Sequence, residues 1–120
     1  MSANDRTVFV VLGAYHNYSD SSWWVTRVFT EKEAADAFAA TLNEVIDVTK
    51  KRVDLANPQR GQALGEATFY KWIDWSTAEW LRARARLIEI GESAAHVADS
   101  GETDQLSWEV VEAPMTGSSK

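Results

Sequence analysis

A continuous run of apolar residues near the N-terminus most constrains how this chain can fold. The run comprises Val8, Phe9, Val10, Val11 and Leu12. Most of these side chains are β-branched or aromatic, which favours a strand over residues 7–14. Because successive side chains of a strand point to opposite faces, an unbroken run places apolar groups on both faces. The pattern predicts a strand that is buried on both faces and ends near Gly13.

Local signals predict a second strand and a first helix. Residues 15–22 are polar and aromatic and residues 23–29 again favour a strand, which together predict a β-hairpin with a long loop. Thr30 and Glu33 match a capping box, in which each side chain bonds the backbone of the other residue. Apolar residues then recur at spacings of three and four as far as Val53, which predicts a helix with one apolar stripe.

The next segment predicts a long helix after a connector. Residues 54–65 contain one proline and two glycines, which favour a connector. Residues 66–90 place apolar side chains on one helical face. Gly91 suits the position just after a helix end.

Two alternatives to this long helix remain open. Arg82, Arg84 and Arg86 alternate with apolar residues in period two, which would make Leu81 to Ile90 a strand and align the arginines into an anion-binding strip. Ser76 to Glu79 matches a second capping box, which would start a shorter helix. The helical tendency of Arg, Ala and Leu favours the long helix, on which the arginines are ordinary surface charge.

The C-terminal part completes an α+β fold. Residues 93–99 predict one helical turn, and residues 106–112 alternate apolar and polar side chains as in a last strand. The predicted order is β-β-α-α-β, a small antiparallel sheet packed by a helical pair. We expect a single domain over residues 7–112, with flexible ends at 1–6 and 113–120.

Charge and residue content argue against several classes of function. The 120 residues include 18 acidic and 12 basic ones, and this net charge of -6 opposes binding to nucleic acid or anionic membranes. No cysteine and no signal or membrane segment is found, so we expect a cytoplasmic protein. Gly61 to Gly65 superficially resembles a phosphate loop, but Glu66 replaces the required lysine. We therefore expect no cofactor.

Six tryptophans are many for this length, and they favour protein binding. Trp72, Trp75 and Trp80 lie in the predicted long helix. A surplus of tryptophan that one core cannot absorb favours a protein partner or a homodimer over a purely structural role. Trp23 and Trp24 are adjacent on a strand, so they point to opposite faces and are both buried only if both faces are covered.

Acidic residues near the C-terminus extend this predicted binding site. From Glu89 to Glu112 there are seven acids and no lysine or arginine, a pattern that attracts a partner with a basic surface. An ordinary solubilising surface is the plain alternative. The predicted site combines the three helical tryptophans with Glu102, Asp104, Glu109 and Glu112.

One loop is the best candidate for catalysis. Residues 15–20 include Tyr15, His16, Tyr18 and Asp20, a combination that suits a small-molecule binder or weak hydrolase. The plain alternative is an exposed turn whose polar side chains bond the backbone. His96 is the only other histidine and lies far along the chain, so we expect no metal site.

Several short motifs carry a family resemblance. Val8 to Val11, Tyr18-Ser19-Asp20 and Val28-Phe29-Thr30, followed by a helix start, resemble small uncharacterised proteins from bacteriophages and bacteria, as does the last strand from Trp108 to Glu112. The resemblance covers about the first 45 residues and that strand, and residues 66–90 depart from it. It implies the fold and a phage or mobile-element origin, and it carries over no catalytic residue.

These observations favour a binding or regulatory protein over an enzyme. Inhibition of a host protein, in the cytoplasm of a bacterial host, is one concrete form. A small-molecule binder using the loop at residues 15–20 and a self-associating structural component are the alternatives.

Overall fold

Three antiparallel strands and two long helices make up the fold. The structure is a computed structural model that describes residues 5–16, 21–58, 66–99 and 103–116. Its elements, in chain order, are β1 (Asp5–His16), β2 (Ser21–Phe29), α1 (Lys32–Leu55), α2 (Glu66–Ile90), α3 (Ala94–Asp99), a short 3-10 turn (Thr103–Gln105) and β3 (Leu106–Thr116). The α+β class and the predicted order of strands and long helices are confirmed.

The chain divides into two compact units. The sheet unit comprises Met1–Asn43 and Gln105–Lys120, and the helical unit comprises Glu44–Asp104. Helix α1 contributes to both units. The strands begin and end outside the predicted domain limits, because β1 starts at Asp5 and β3 continues to Thr116. Residues 1–4 and 117–120 of the predicted tails lie outside the described residues, and the single domain stays a prediction.

The long apolar strand β1 is the centre of the sheet, in the order β2-β1-β3. Paired residues of antiparallel strands lie on the same face, so the register defines two faces. On the inner face, Val11 lies opposite Val110, and Gly13 lies opposite Trp108. Val11 and Trp108 are buried. The inner face therefore holds the core of the sheet unit.

The first half of α1 contacts this inner face. The Phe38 ring lies 5.5 Å from that of Phe29, and the Arg27 guanidinium lies 4.9 Å above the Phe38 ring. The Asn43 side chain accepts from the Trp108 N–H at 2.9 Å and donates to its carbonyl at 2.8 Å. An amide side chain thus satisfies the backbone of an edge strand, which would otherwise need water or another strand.

Gly13 lies inside β1 and does not end it, which corrects the prediction. Gly13 is paired with Trp24 of β2, and a Cβ added at Gly13 would overlap the Trp24 indole. The missing side chain of one strand makes room for the largest side chain of its neighbour. The strand consequently continues through Tyr15 and His16, so the hairpin connection is only residues 17–20, which lie outside the described residues.

A register shift between Val11 and Leu12 sets this pairing. Val11 pairs with Arg27 and Leu12 with Val25, so Thr26 is the extra residue of a bulge. Beyond the bulge, the alternation of β2 places Trp24 on the inner face and Trp23 on the other.

Helix starts and ends follow mostly local rules. The first helical bond of α1 runs from the Ala35 N–H to the Glu31 carbonyl, so Glu31 replaces the predicted Thr30 at the cap position. Gly91 ends α2 with a positive φ of 144°, and the Leu87 carbonyl accepts from the N–H groups of both Gly91 and Glu92. The long helix is confirmed, and both alternatives for the segment are wrong.

A buried carboxylate joins α1 to α2 within the helical unit. Glu79 is almost fully buried, pairs with Arg52 of α1 at 2.8 Å, and also pairs with Arg82 one turn along α2. The Arg52 guanidinium lies 6.0 Å from the Trp75 ring. The Trp72 indole donates to the Val53 carbonyl at 3.0 Å. Sequence spacing did not reveal these contacts between the two helices.

A second buried carboxylate holds the start of α3. Glu92 accepts from the Ser93 N–H at 2.7 Å and lies 2.9 Å from Nδ1 of His96. The Ser93 hydroxyl accepts from the Ala95 N–H at 3.3 Å, as an N-cap does. His96 is thus engaged in a local contact that fixes a short helix.

We predict that Gly13→Ala destabilises the protein by about 1–3 kcal/mol, because the methyl group overlaps the Trp24 indole. The same change elsewhere inside a strand stabilises by about 0.5–1 kcal/mol. Urea unfolding measures the effect, and a Trp24→Val background is the control. The cost must shrink in that background, and an unchanged cost would contradict the contact.

We predict that Glu79→Gln lowers the free energy of unfolding by about 1.5–3 kcal/mol, because the amide loses the charge, keeps an acceptor for only one of the two arginines and turns a donor toward the other. Glu89→Gln is the matched control on the same helix. Glu89 pairs with Arg86 at 2.6 Å but is exposed, so we expect a change below about 0.5 kcal/mol. Equal losses in urea unfolding would refute a special role for Glu79.

Candidate functional site

The second face of the sheet is mainly apolar on β1 and β2 and mixed on β3. We call it the outer face, and its rows follow from the register. From one end, the rows are His16 with Ser21; Trp23, Ala14 and Ser107; Val25, Leu12 and Glu109; Val28, Val10 and Val111; and Val8 with Ala113. Within these rows, polar residues lie at one end and on β3, and the next row after Val8 pairs Arg6 with Met115.

This outer face is open to solvent. Trp23, Val25 and Val28 of β2 are 55%, 56% and 52% exposed, and Val111 of β3 is also exposed. On the inner face, by contrast, Val11 is 0% exposed. Of the outer side chains of β1, those of Val8, Val10 and Leu12 are half-buried and that of Ala14 is buried. The prediction that β1 is buried on both faces is therefore wrong for most of the outer face, where Ala14 alone among the described side chains of β1 is buried.

An exposed apolar face is unusual for an antiparallel sheet. Sheets of this kind normally alternate apolar residues toward the core with polar residues toward water. Monomeric proteins rarely expose large contiguous apolar patches, and those with a polar rim mark binding surfaces. The outer face has both properties, since Ser21, Ser107 and Glu109 lie around Trp23 and the valines.

One corner of the outer face is aromatic. The His16 ring lies edge-on to that of Trp23, with centroids 5.0 Å apart, and the Ser21 hydroxyl is 3.5 Å from His16 Nδ1. Trp23 and Trp24 diverge, as their adjacency predicted. Trp24 lies against Gly13, and Trp23 is the exposed member of the pair.

Two residues of the predicted catalytic loop lie in a strand. Tyr15 and His16 belong to β1 and, as neighbours on a strand, point to opposite faces. Tyr18 and Asp20 lie outside the described residues. Among the residues that the structure describes, no three metal-ligating side chains come together. The two described members of the loop candidate are therefore not brought to one point, and a hydrolase stays a hypothesis.

The predicted binding residues are divided between the two units. In the helical unit, Trp72 is half-buried and bonded to Val53, Trp75 lies beside Arg52, and Trp80 is half-buried. Asp104 lies in the 3-10 turn, and Glu102 lies outside the described residues.

In the sheet unit, Glu109 and Glu112 are exposed on β3 but are three positions apart, so they point to opposite faces. Only Glu109 of the predicted set belongs to the outer face. The predicted set stays a prediction, and the structure adds Val25, Val28 and Val111, which the sequence treated only as strand residues.

Lys32, which lies away from this face in the first turn of α1, has a raised pKa. The hydrogen bond to Asp36, 2.7 Å long, raises the pKa of Lys32 above its ordinary value. A lysine that acts as a base or nucleophile has the opposite shift. Lys32 is thus a fully charged surface residue in the first turn of α1.

Comparison with other proteins gives no family assignment: the chain matches no family profile, no curated protein and no solved structure. In the described part of the chain, no helix is both long and apolar enough to span a membrane. The resemblance to bacteriophage proteins remains an expectation, and the outer face must be interpreted from its own chemistry.

We predict that Val25→Thr changes the free energy of unfolding by less than about 0.5 kcal/mol, because the side chain is largely exposed and Thr also favours strands. Val11→Thr is the matched control. The identical change on the inner face buries a hydroxyl group and costs about 1–3 kcal/mol. Urea unfolding at submicromolar concentration measures both, and a large loss for Val25→Thr would show that the outer face is covered within the monomer.

Proposed function

We propose that this protein is a binding module that acts by docking the outer face of its sheet onto another protein surface. The observation that carries the proposal is the exposed apolar surface of Trp23, Val25 and Val28 on a sheet whose other face is already packed. The proposal makes the protein a regulator or assembly component rather than an enzyme.

Docking of the outer face is favourable because it removes exposed apolar surface from water. Each Å² of such surface stabilises a complex by about 25 cal/mol when it is buried, before the costs of association. Exposed tryptophans surrounded by smaller contacts are frequent binding hot spots. Trp23 has this setting, with Ala14 beside it and Ser21 and Ser107 nearby.

The family resemblance and the net charge bear on where the protein would act and on which kind of partner. A phage origin would make the protein a regulator of a host protein in a bacterial cytoplasm, with inhibition as its simplest form. The net charge of -6 favours a partner with a basic surface over nucleic acid or anionic lipid. Glu109 is the acid on the outer face that such a partner would contact.

Site-specific photocrosslinking tests the proposal without knowledge of the partner. A benzophenone amino acid replaces Val25 in one variant and Leu81 of α2 in another, and both are irradiated in the cells that produce the protein. Leu81 is the matched control, because it is 55% exposed against 56% for Val25. We expect protein adducts from Val25 and few from Leu81. Equal yields at the two positions, or none at Val25, would refute the proposed surface.

A further inference from the structure

We propose that Arg52 and Arg82 form a binding site for a phosphate group within the helical unit. The site uses none of the residues of the outer face, so this proposal and the proposed function stand or fall independently. Its basis is the buried carboxylate of Glu79, which pairs with both arginines. The ligand is a phosphate dianion, either free or as the monoester of a small organic molecule.

Glu79 orients the two guanidinium groups. Its two oxygens are divided between the arginines, because Oε1 pairs with Nη1 of Arg52 and Oε2 pairs with Nη1 of Arg82. The Trp75 ring lies 6.0 Å from the Arg52 guanidinium and restricts that side chain further. Side chains that are already ordered lose less entropy when a ligand binds. The arrangement therefore favours binding over a pair of freely moving arginines.

Both guanidinium groups keep hydrogen-bond donors for a ligand. An arginine carries five N–H donors, and in the described part of the chain each of these two contacts Glu79 through Nη1 alone. The side chains of Arg52 and Arg82 are 57% and 72% exposed, so their other donors reach water. The planar array of arginine donors matches the spacing of phosphate oxygens.

The two arginines lie close enough to share one phosphate. Because both Nη1 atoms contact the same carboxyl group, they are at most about 7.5 Å apart. A phosphate whose oxygens accept at about 2.8 Å bridges donors up to about 8 Å apart. One dianion can therefore contact both guanidinium groups from their exposed side, while Glu79 contacts them from their buried side.

Local charge favours an anion at this site although the whole protein is acidic. Residues 50–86 contain eight of the 12 basic residues of the chain and only four of its 18 acids. Arg86 lies one turn beyond Arg82 on the same face of α2. A concentration of positive charge attracts small anions. The acids elsewhere in the chain repel a long polyanion, so a small phosphate compound is favoured over nucleic acid.

This site differs from the anion-binding strip that a strand would have formed. On α2, Arg84 is turned by about 200° from Arg82, so the two do not share a face. Arg52 of α1 supplies the second guanidinium instead, through its contact with Glu79.

Isothermal titration calorimetry of the full chain with sodium phosphate, at constant ionic strength in a chloride buffer, tests the site. We expect saturable binding with a dissociation constant of about 0.05–1 mM, raised at least about 10-fold by Arg52→Gln or Arg82→Gln. Lys51→Gln is the matched control. It removes the same charge from an exposed residue that lies about 100° around α1 from Arg52, so the constant should change less than about two-fold. Equal losses in the three variants, or no binding up to about 10 mM phosphate, overturn the proposal.

Lysine variants keep the test decisive if the glutamine variants do not fold. Arg52→Lys and Arg82→Lys retain a positive charge opposite Glu79 but lose the planar pair of donors. We expect each to weaken phosphate binding at least about three-fold while the urea midpoint stays close to that of the unchanged protein. Unchanged binding in both lysine variants would show that charge alone attracts phosphate, and it would overturn the site.

Phenyl phosphate distinguishes the two sources of the ligand. Its ring can contact Trp75, which is partly exposed beside Arg52. Tighter binding of phenyl phosphate than of inorganic phosphate supports an organic monoester as the ligand, and equal binding supports free phosphate. If neither compound binds, no phosphate site exists.

Discussion

The central strand β1 carries apolar side chains on both faces, and the arrangement of the sheet unit depends on that constraint. The inner side is covered by α1, which brings Phe38 against Phe29 and places Asn43 on the backbone of Trp108. On the outer side, the described side chains of β2 are largely exposed and most of those of β1 are half-buried. A strand with this composition needs two covering layers, and the described residues of the sheet unit supply one. The proposed binding role is the consequence of that shortfall.

Much of the fold could be predicted because its signals are local. Strand composition, the apolar period of α1 and the terminal Gly91 depend on near neighbours in the sequence, and these features were predicted correctly apart from their limits. Gly13 was misinterpreted because its role depends on Trp24, which lies opposite it on another strand. Glu79 escaped notice for the same reason. Its burial results from contact with Arg52 on a different helix, and no spacing rule connects those two positions.

The candidate site was only partly predictable. Adjacent tryptophans on a strand must diverge, so the exposure of one of them followed from geometry. Which one is exposed depends on the bulge at Thr26, which the sequence does not mark. The helical tryptophans were predicted as binding residues because of their number, yet the Trp72 indole N–H donates to the Val53 carbonyl. The valines of β2 could not be predicted as site residues from their type. Only the register shows that they share one exposed face.

The pairing of Gly13 with Trp24 also protects the alignment of the hairpin. If β2 slid by two residues along β1, Trp24 would lie opposite Val11 or Tyr15, which have side chains where Gly13 leaves space for the indole. If it slid by one, Trp23 and Trp24 would exchange faces, and the outer row of valines would turn inward. Gly13 therefore fixes the register of the hairpin by leaving space for one indole ring. The composition of the exposed surface is decided by a residue that has no side chain.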